Sequence, residues 1–146
     1  MDVASTIMAL LVWINIQTGW EVPPVEHFPE VVVYEQEDVY ELYCAGAGLP
    51  IDCEFPRVMK VVAYYDETTD DIIIAKELLE DDLYSTSVLL HELIHYMQDY
   101  HDLEYPCNTA KEPIAYTLQS EWLAEHGVEW KANQLMIAIM SICHIM

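Results

Sequence analysis

The chain has 146 residues, 53% of them apolar and 21% charged, which suits one globular domain spanning residues 1–146 and leaves little room for a second core. Its 26 Asp and Glu against 5 Lys and Arg give a formal charge of -21, a field that repels nucleic-acid backbones and anionic lipid surfaces. An aromatic content of 11% argues against disorder despite that charge.

No apolar run reaches the roughly 18 to 20 residues that cross a bilayer, and the longest, Leu135 to Met146, is interrupted by Ser141 and His144. The first nineteen residues carry Asp2 where a signal peptide has its cationic region, so they read as mature protein. Ile7, Leu10, Leu11 and Ile14 stand at i, i+3, i+4 and i+7, the stripe of an amphipathic helix that Thr18-Gly19 would stop. Pro23, Pro24 and Pro29 then punctuate the approach to Val31-Val32-Val33-Tyr34, a strand-like tetrad. Glu35 to Glu41 fits either a turn or the start of a short helix.

Cys44 and Cys53 flank Ala45-Gly46-Ala47-Gly48-Leu49-Pro50, a loop too irregular to hold itself, and a disulfide between them is the expected local bridge. Cys107 and Cys143 are then left to each other, and disulfides of this kind imply an extracytoplasmic location, periplasmic or secreted. Val58 to Tyr65, the polar Asp66 to Asp71 and the apolar Ile72-Ile73-Ile74 together predict a β-hairpin. Its acidic turn lacks the Gly and terminal Glu of a calcium loop and reads as a solvated tip.

Ser85 to about Tyr100 reads as a helix capped by Ser85 or Ser87, with Leu90, Leu93, Ile94 and Met97 on its apolar face. A second helix is expected from about Thr109 to His126, closed by Gly127, and a third from about Glu129 onward. Helix, a few strands, then helices is an α+β order.

The chemistry is carried by His91-Glu92-Leu93-Ile94-His95, an HExxH motif inside the first of these later helices. Side chains at i and i+4 share a helix face, so the two imidazoles can converge on one Zn²⁺. Glu92 stands about 100° round the helix from His91, close to the metal but off the ligand line, where it can take a proton from zinc-activated water. Catalytic zinc takes three protein ligands, so a third is needed. His101 has the HExxHxxGxxH spacing, yet Gln98 replaces the glycine that would turn it back to the metal. Glu112 is the stronger candidate, because it shares a face with Ala115, Tyr116 and Gln119 and the small Ala115 permits close approach of the two helices. Thr109-x-x-Glu112 also fits a capping box, and Glu121 and Glu125 are fallback ligands on the same helix. Gln98, one turn after His95, is placed to support a ligand by hydrogen bonding.

Residues His91 to Asp99, followed by Glu112 and Ala115-Tyr116, resemble the gluzincin zinc metallopeptidases, especially their small or minimal members. The likeness covers roughly Arg57 to Gly127. It implies a zincin-like fold, with an N-terminal helix, a small sheet containing the hairpin, and the HExxH helix packed on a C-terminal glutamate helix. It further implies zinc held by His91, His95 and Glu112, Glu92 as general base, Ile72 to Ile74 as an edge strand aligning an extended peptide, and an oxyanion-stabilising group among Tyr116, Tyr105 and His126. The function expected is hydrolysis of a peptide or protein substrate. The alternatives are a zinc hydrolase of another amide, or a non-catalytic acidic binding or inhibitor protein that keeps zinc structurally.

Overall fold

The computed structural model describes residues 2–46, 62–80 and 82–130. Helix α1 (Val3–Thr18) begins on Asp2, whose carboxylate accepts from the Ser5 hydroxyl at 2.8 Å, and ends at Gly19, where φ of 79° needs a residue without a β-carbon. Ile7, Leu10, Leu11 and Ile14 are its buried face, as their spacing predicts. Strand β1 (Val31–Tyr34) follows, and the ambiguous stretch after it folds as helix α2 (Gln36–Gly46).

Strands β2 (Ala63–Asp66) and β3 (Asp71–Ala75) form the expected hairpin. Residues 67–70 are its exposed tip, tied by the Asp66 carboxylate to the Thr68 hydroxyl at 2.6 Å. Residues 58–61, which the hairpin reading also included, lie outside the described residues. The sheet order is β1-β3-β2, with β1 parallel and β2 antiparallel to β3. Ile72 to Ile74 are therefore the central strand and not an edge, because both sides of β3 are already paired. Their unbroken apolar run has the same cause: Ile72 packs into the helical core while Ile73 meets Val39 of α2 on the other face.

Helix α3 (Leu83–Tyr100) carries the HExxH sequence. Its cap is Asp82, which accepts from the Ser85 N–H at 2.7 Å, and neither serine fills that role. The chain then passes through a short 3₁₀ turn, Asn108–Lys111, into helix α4 (Glu112–Glu125), closed at Gly127 with φ of 79°. Leu89, Leu90, Leu93, Ile94 and Met97 of α3 join α1 and the Leu118 to Leu123 face of α4 in one core. Ala115 at the crossing is fully buried, so α3 and α4 meet closely where the site lies. Val128 to Trp130 are not helical, and the remainder of the third helix expected there lies outside the described residues. The described residues form a small α+β domain of four helices and a three-stranded mixed sheet. No helix among the described residues is long and apolar enough to cross a membrane.

Candidate metal centre

On α3 the residues Ser87, His91, His95 and Gln98 fall at i, i+4, i+8 and i+11, one polar stripe along the helix. That stripe faces α4. His91 Nε2 stands 2.9 Å from Glu112 Oε2, and His95 Nε2 stands 2.9 Å from Glu112 Oε1. The two Nε2 atoms are 3.2 Å apart. Glu112 opens α4 ahead of Pro113, so its carboxylate points from the helix end toward the histidines and is not a capping-box partner. Thr109 instead has its hydroxyl 3.3 Å from Cys107 Sγ.

Two backbone carbonyls settle the protonation pattern behind these contacts. The carbonyl of Lys111 can only accept, so the Gln98 amide at 3.0 Å must present its NH₂ there and its Oε1 to His95 Nδ1, 2.8 Å away. The carbonyl of Tyr84 likewise takes the Ser87 hydroxyl proton at 2.7 Å. Ser87 Oγ must then accept from Gln119 Nε2 at 3.1 Å, which turns Gln119 Oε1 to His91 Nδ1 at 2.9 Å. Each imidazole is thus a donor at Nδ1, and a neutral ring keeps its lone pair at Nε2, facing the shared centre.

Two such lone pairs and a carboxylate within 3.2 Å repel one another unless a cation stands among them. A tetrahedral zinc with bonds near 2.0 to 2.2 Å separates its ligands by about 3.3 Å, so the cluster has the donor types and nearly the spacing for such an ion. Among the described residues this trio is the one group of His, Cys, Asp and Glu whose ligand atoms converge, all within 4.8 Å. With protons in place of metal, burial would lower the His95 imidazolium, but the hydrogen bond and charge of Glu112 outweigh it and push it up to about 9. Burial works against the Glu112 carboxylate too, and the two histidines still hold it far below the ordinary carboxylate range.

Glu92 is 6% exposed, and its carboxylate meets the β2 backbone at Tyr65. In the hairpin the Ala75 N–H donates to the Val62 carbonyl, and alternation along an antiparallel pair then turns the Tyr65 N–H away from β3. That N–H bonds the Glu92 carboxylate. Burial raises Glu92 above the usual carboxylate range, with the Glu112 charge adding to it, against the pull of both histidines.

A family described as a domain of unknown function, DUF6647, matches residues 1–146. The chain belongs to the DUF6647 family. No curated protein and no solved structure matches it. In this DUF6647 chain His101 lies away from the cluster, with Nε2 2.8 Å from the Glu21 carbonyl. Glu125 takes the Trp13 indole N–H at 2.7 Å, Glu121 is exposed, and neither joins the metal group. The Tyr116 ring packs edge-on against His91 with centroids 4.6 Å apart. Burial, with the Glu112 and Glu92 charges behind it, pushes its phenol up to about 12. Tyr105 accepts from Gln98 Nε2 at 3.1 Å and so braces the support of His95, while His126 stacks on Trp122 at 3.9 Å, outside the cluster.

Sequence reasoning overlooked Tyr65, whose only signal was its place beside a predicted turn, and Ser87, which the polar stripe on α3 already marked. Cys44 and Cys107 are half-cystines and no cysteine among the described residues is free, whereas Cys53 and Cys143, their expected partners, lie outside those residues.

Proposed function

We propose that this protein is a zincin-like zinc-dependent peptidase of the gluzincin type, with His91, His95 and Glu112 holding the metal and Glu92 as general base. The observation that carries the reading is the convergence of both Nε2 atoms on the two Glu112 oxygens at 2.9 Å, beside a buried carboxylate that belongs to no ligand pair. Zinc bound there would polarise the scissile carbonyl and bring the attacking water to a pKa near 7. Glu92 would accept a proton from that water and pass it to the leaving amine, a task suited to a carboxyl that burial holds above the usual carboxylate range. The Tyr65 N–H keeps the Glu92 side chain oriented while the proton moves.

Tyr116 stays protonated at neutral pH and is the phenol that donates to the developing oxyanion. With β3 central, β1 and β2 are the outer strands among the described residues, and β2, whose outer edge meets Glu92, is the one that would align an extended peptide or protein substrate. The half-cystines at Cys44 and Cys107 favour an oxidising, extracytoplasmic setting.

The test pairs metal content with turnover. Wild type and Glu92→Gln should each hold about one zinc per chain, and the variant should hydrolyse peptides roughly 10² to 10⁴ times more slowly. A Glu92→Gln protein that matches wild type in hydrolysis would overturn the assignment.

A further inference from the structure

Helix α3 has a second functional face. Glu92, Tyr96 and Asp99 stand at i, i+4 and i+7, turned toward β2, and beyond Glu92 this face opens into a cavity of about 600 Å³. That volume is in the range of ligand pockets. Five carboxylates line it: Glu26 and Glu30 ahead of β1, Asp70 and Asp71 at the hairpin, and Asp99 on α3. Phe28, Tyr65, Tyr96 and Tyr100 supply aromatic wall between them.

Among the described residues no lysine or arginine lines it. Of the lysines in the described residues, Lys76 lies 3.6 Å from Glu35 and Lys111 lies 3.7 Å from Glu67, neither of them in the cavity. The Tyr65 hydroxyl is 2.7 Å from both Asp70 Oδ1 and Asp99 Oδ2, yet it has one proton to give. One carboxylate therefore keeps a demand for a further donor. A bare metal ion does not fit that demand, because no three acidic groups of the cavity bring ligand atoms together as the metal centre does. A long organic cation does fit. Its N–H groups answer separated carboxylates, its charge lies against tyrosine faces, and the protein's net charge of -21 draws it in.

The cavity and the metal centre share a strand and a helix. Tyr65 gives its N–H to Glu92 and its side chain to the cavity, and Asp99 follows His95 by four residues, about 6 Å of helix rise. We propose that this cavity is a specificity pocket for an arginine or lysine side chain of the peptide aligned along β2. The assignment rests on the peptidase reading of the metal centre.

The zinc-loaded Glu92→Gln protein, which should bind without cleaving, permits a direct test by calorimetry. The probes are the capped peptide acetyl-Gly-Gly-Arg-Gly-Gly-amide and its citrulline counterpart, which keeps the shape and removes the charge. The arginine peptide should bind at least about tenfold more tightly. Adding Asp70→Asn and Asp99→Asn should remove that preference, whereas Glu37→Gln with Glu41→Gln on α2, an equal change of charge, should preserve it. Equal affinity for the two peptides, or an equal loss from the α2 pair, overturns the proposal. Both peptides cleaved at one rate by the wild-type zinc protein would also sink the pocket while leaving the peptidase intact. Tight, charge-dependent binding without cleavage by wild type would sink the peptidase reading and leave the pocket standing.

Discussion

On the α4 side of helix α3, Ser87, His91, His95 and Gln98 have their polar atoms matched to partners within 3.2 Å. On the β2 side, Glu92 is buried with one backbone donor, and Asp99 shares a single tyrosine proton with Asp70 beside an open cavity. Both faces are rich in acceptors and both call for a cation, but they differ in how far the protein prepares the place. The first is closed by amides whose orientation two carbonyls dictate, so it is rigid and selects by distance. The second is wide and selects by charge and shape.

The sharpest way to break this contrast is to remove its closing ligand. Glu112→Ala should lose stoichiometric zinc while His101→Ala keeps it, as read by elemental analysis after reloading and desalting. The reverse result would replace the glutamate assignment by the longer histidine spacing.

A smaller effect is expected one layer out. Gln119→Leu and Gln98→Leu keep the ligands but free their Nδ1 protons, so zinc affinity in chelator competition should fall roughly 10- to 100-fold. The matching Asp99→Asn change on the other face should leave zinc affinity as it is. If the glutamine variants bind zinc like wild type, the amides do not orient the rings.

The smallest effect concerns the protein stripped of metal. There the His95 imidazolium, pushed up from its ordinary 6.5 to about 9, contributes stability that is complete below about pH 6.5 and is lost as pH rises through about 9. Glu112, held low, acts in the opposite sense, its contribution present above the ordinary carboxylate range and lost in acid. Melting temperature in chelator should therefore decline from about pH 6.5 and more steeply towards 9 than that of the zinc-loaded protein. Parallel curves would show that His95 carries no proton in the metal-free state.

Much of the molecule is local enough to be legible from residue order. The stripe of Ile7, Leu10, Leu11 and Ile14 locates α1 because a helix repeats every 3.6 residues, and Gly19 and Gly127 mark helix ends because left-handed backbone favours them. The Ser85 and Ser87 caps were misplaced because Asp82, three residues ahead of Ser85, offers the better acceptor. The resemblance implied an edge strand at Ile72 to Ile74, but their apolar run says only that a strand is buried and not what pairs with it.

The sequence by itself determined the α+β order, the hairpin, and the His91, Glu92 and His95 constellation, since each rests on spacing within one helix or one turn. Only the tertiary structure decided that Glu112 and not His101 closes the group, because the sixteen residues between His95 and Glu112 carry no geometry of their own until Ala115 lets α4 settle on α3. It alone also decided that the edge of β2 turned away from β3 meets Glu92. Strand order is fixed by which faces the whole chain can bury together, and no single stretch of residues encodes it.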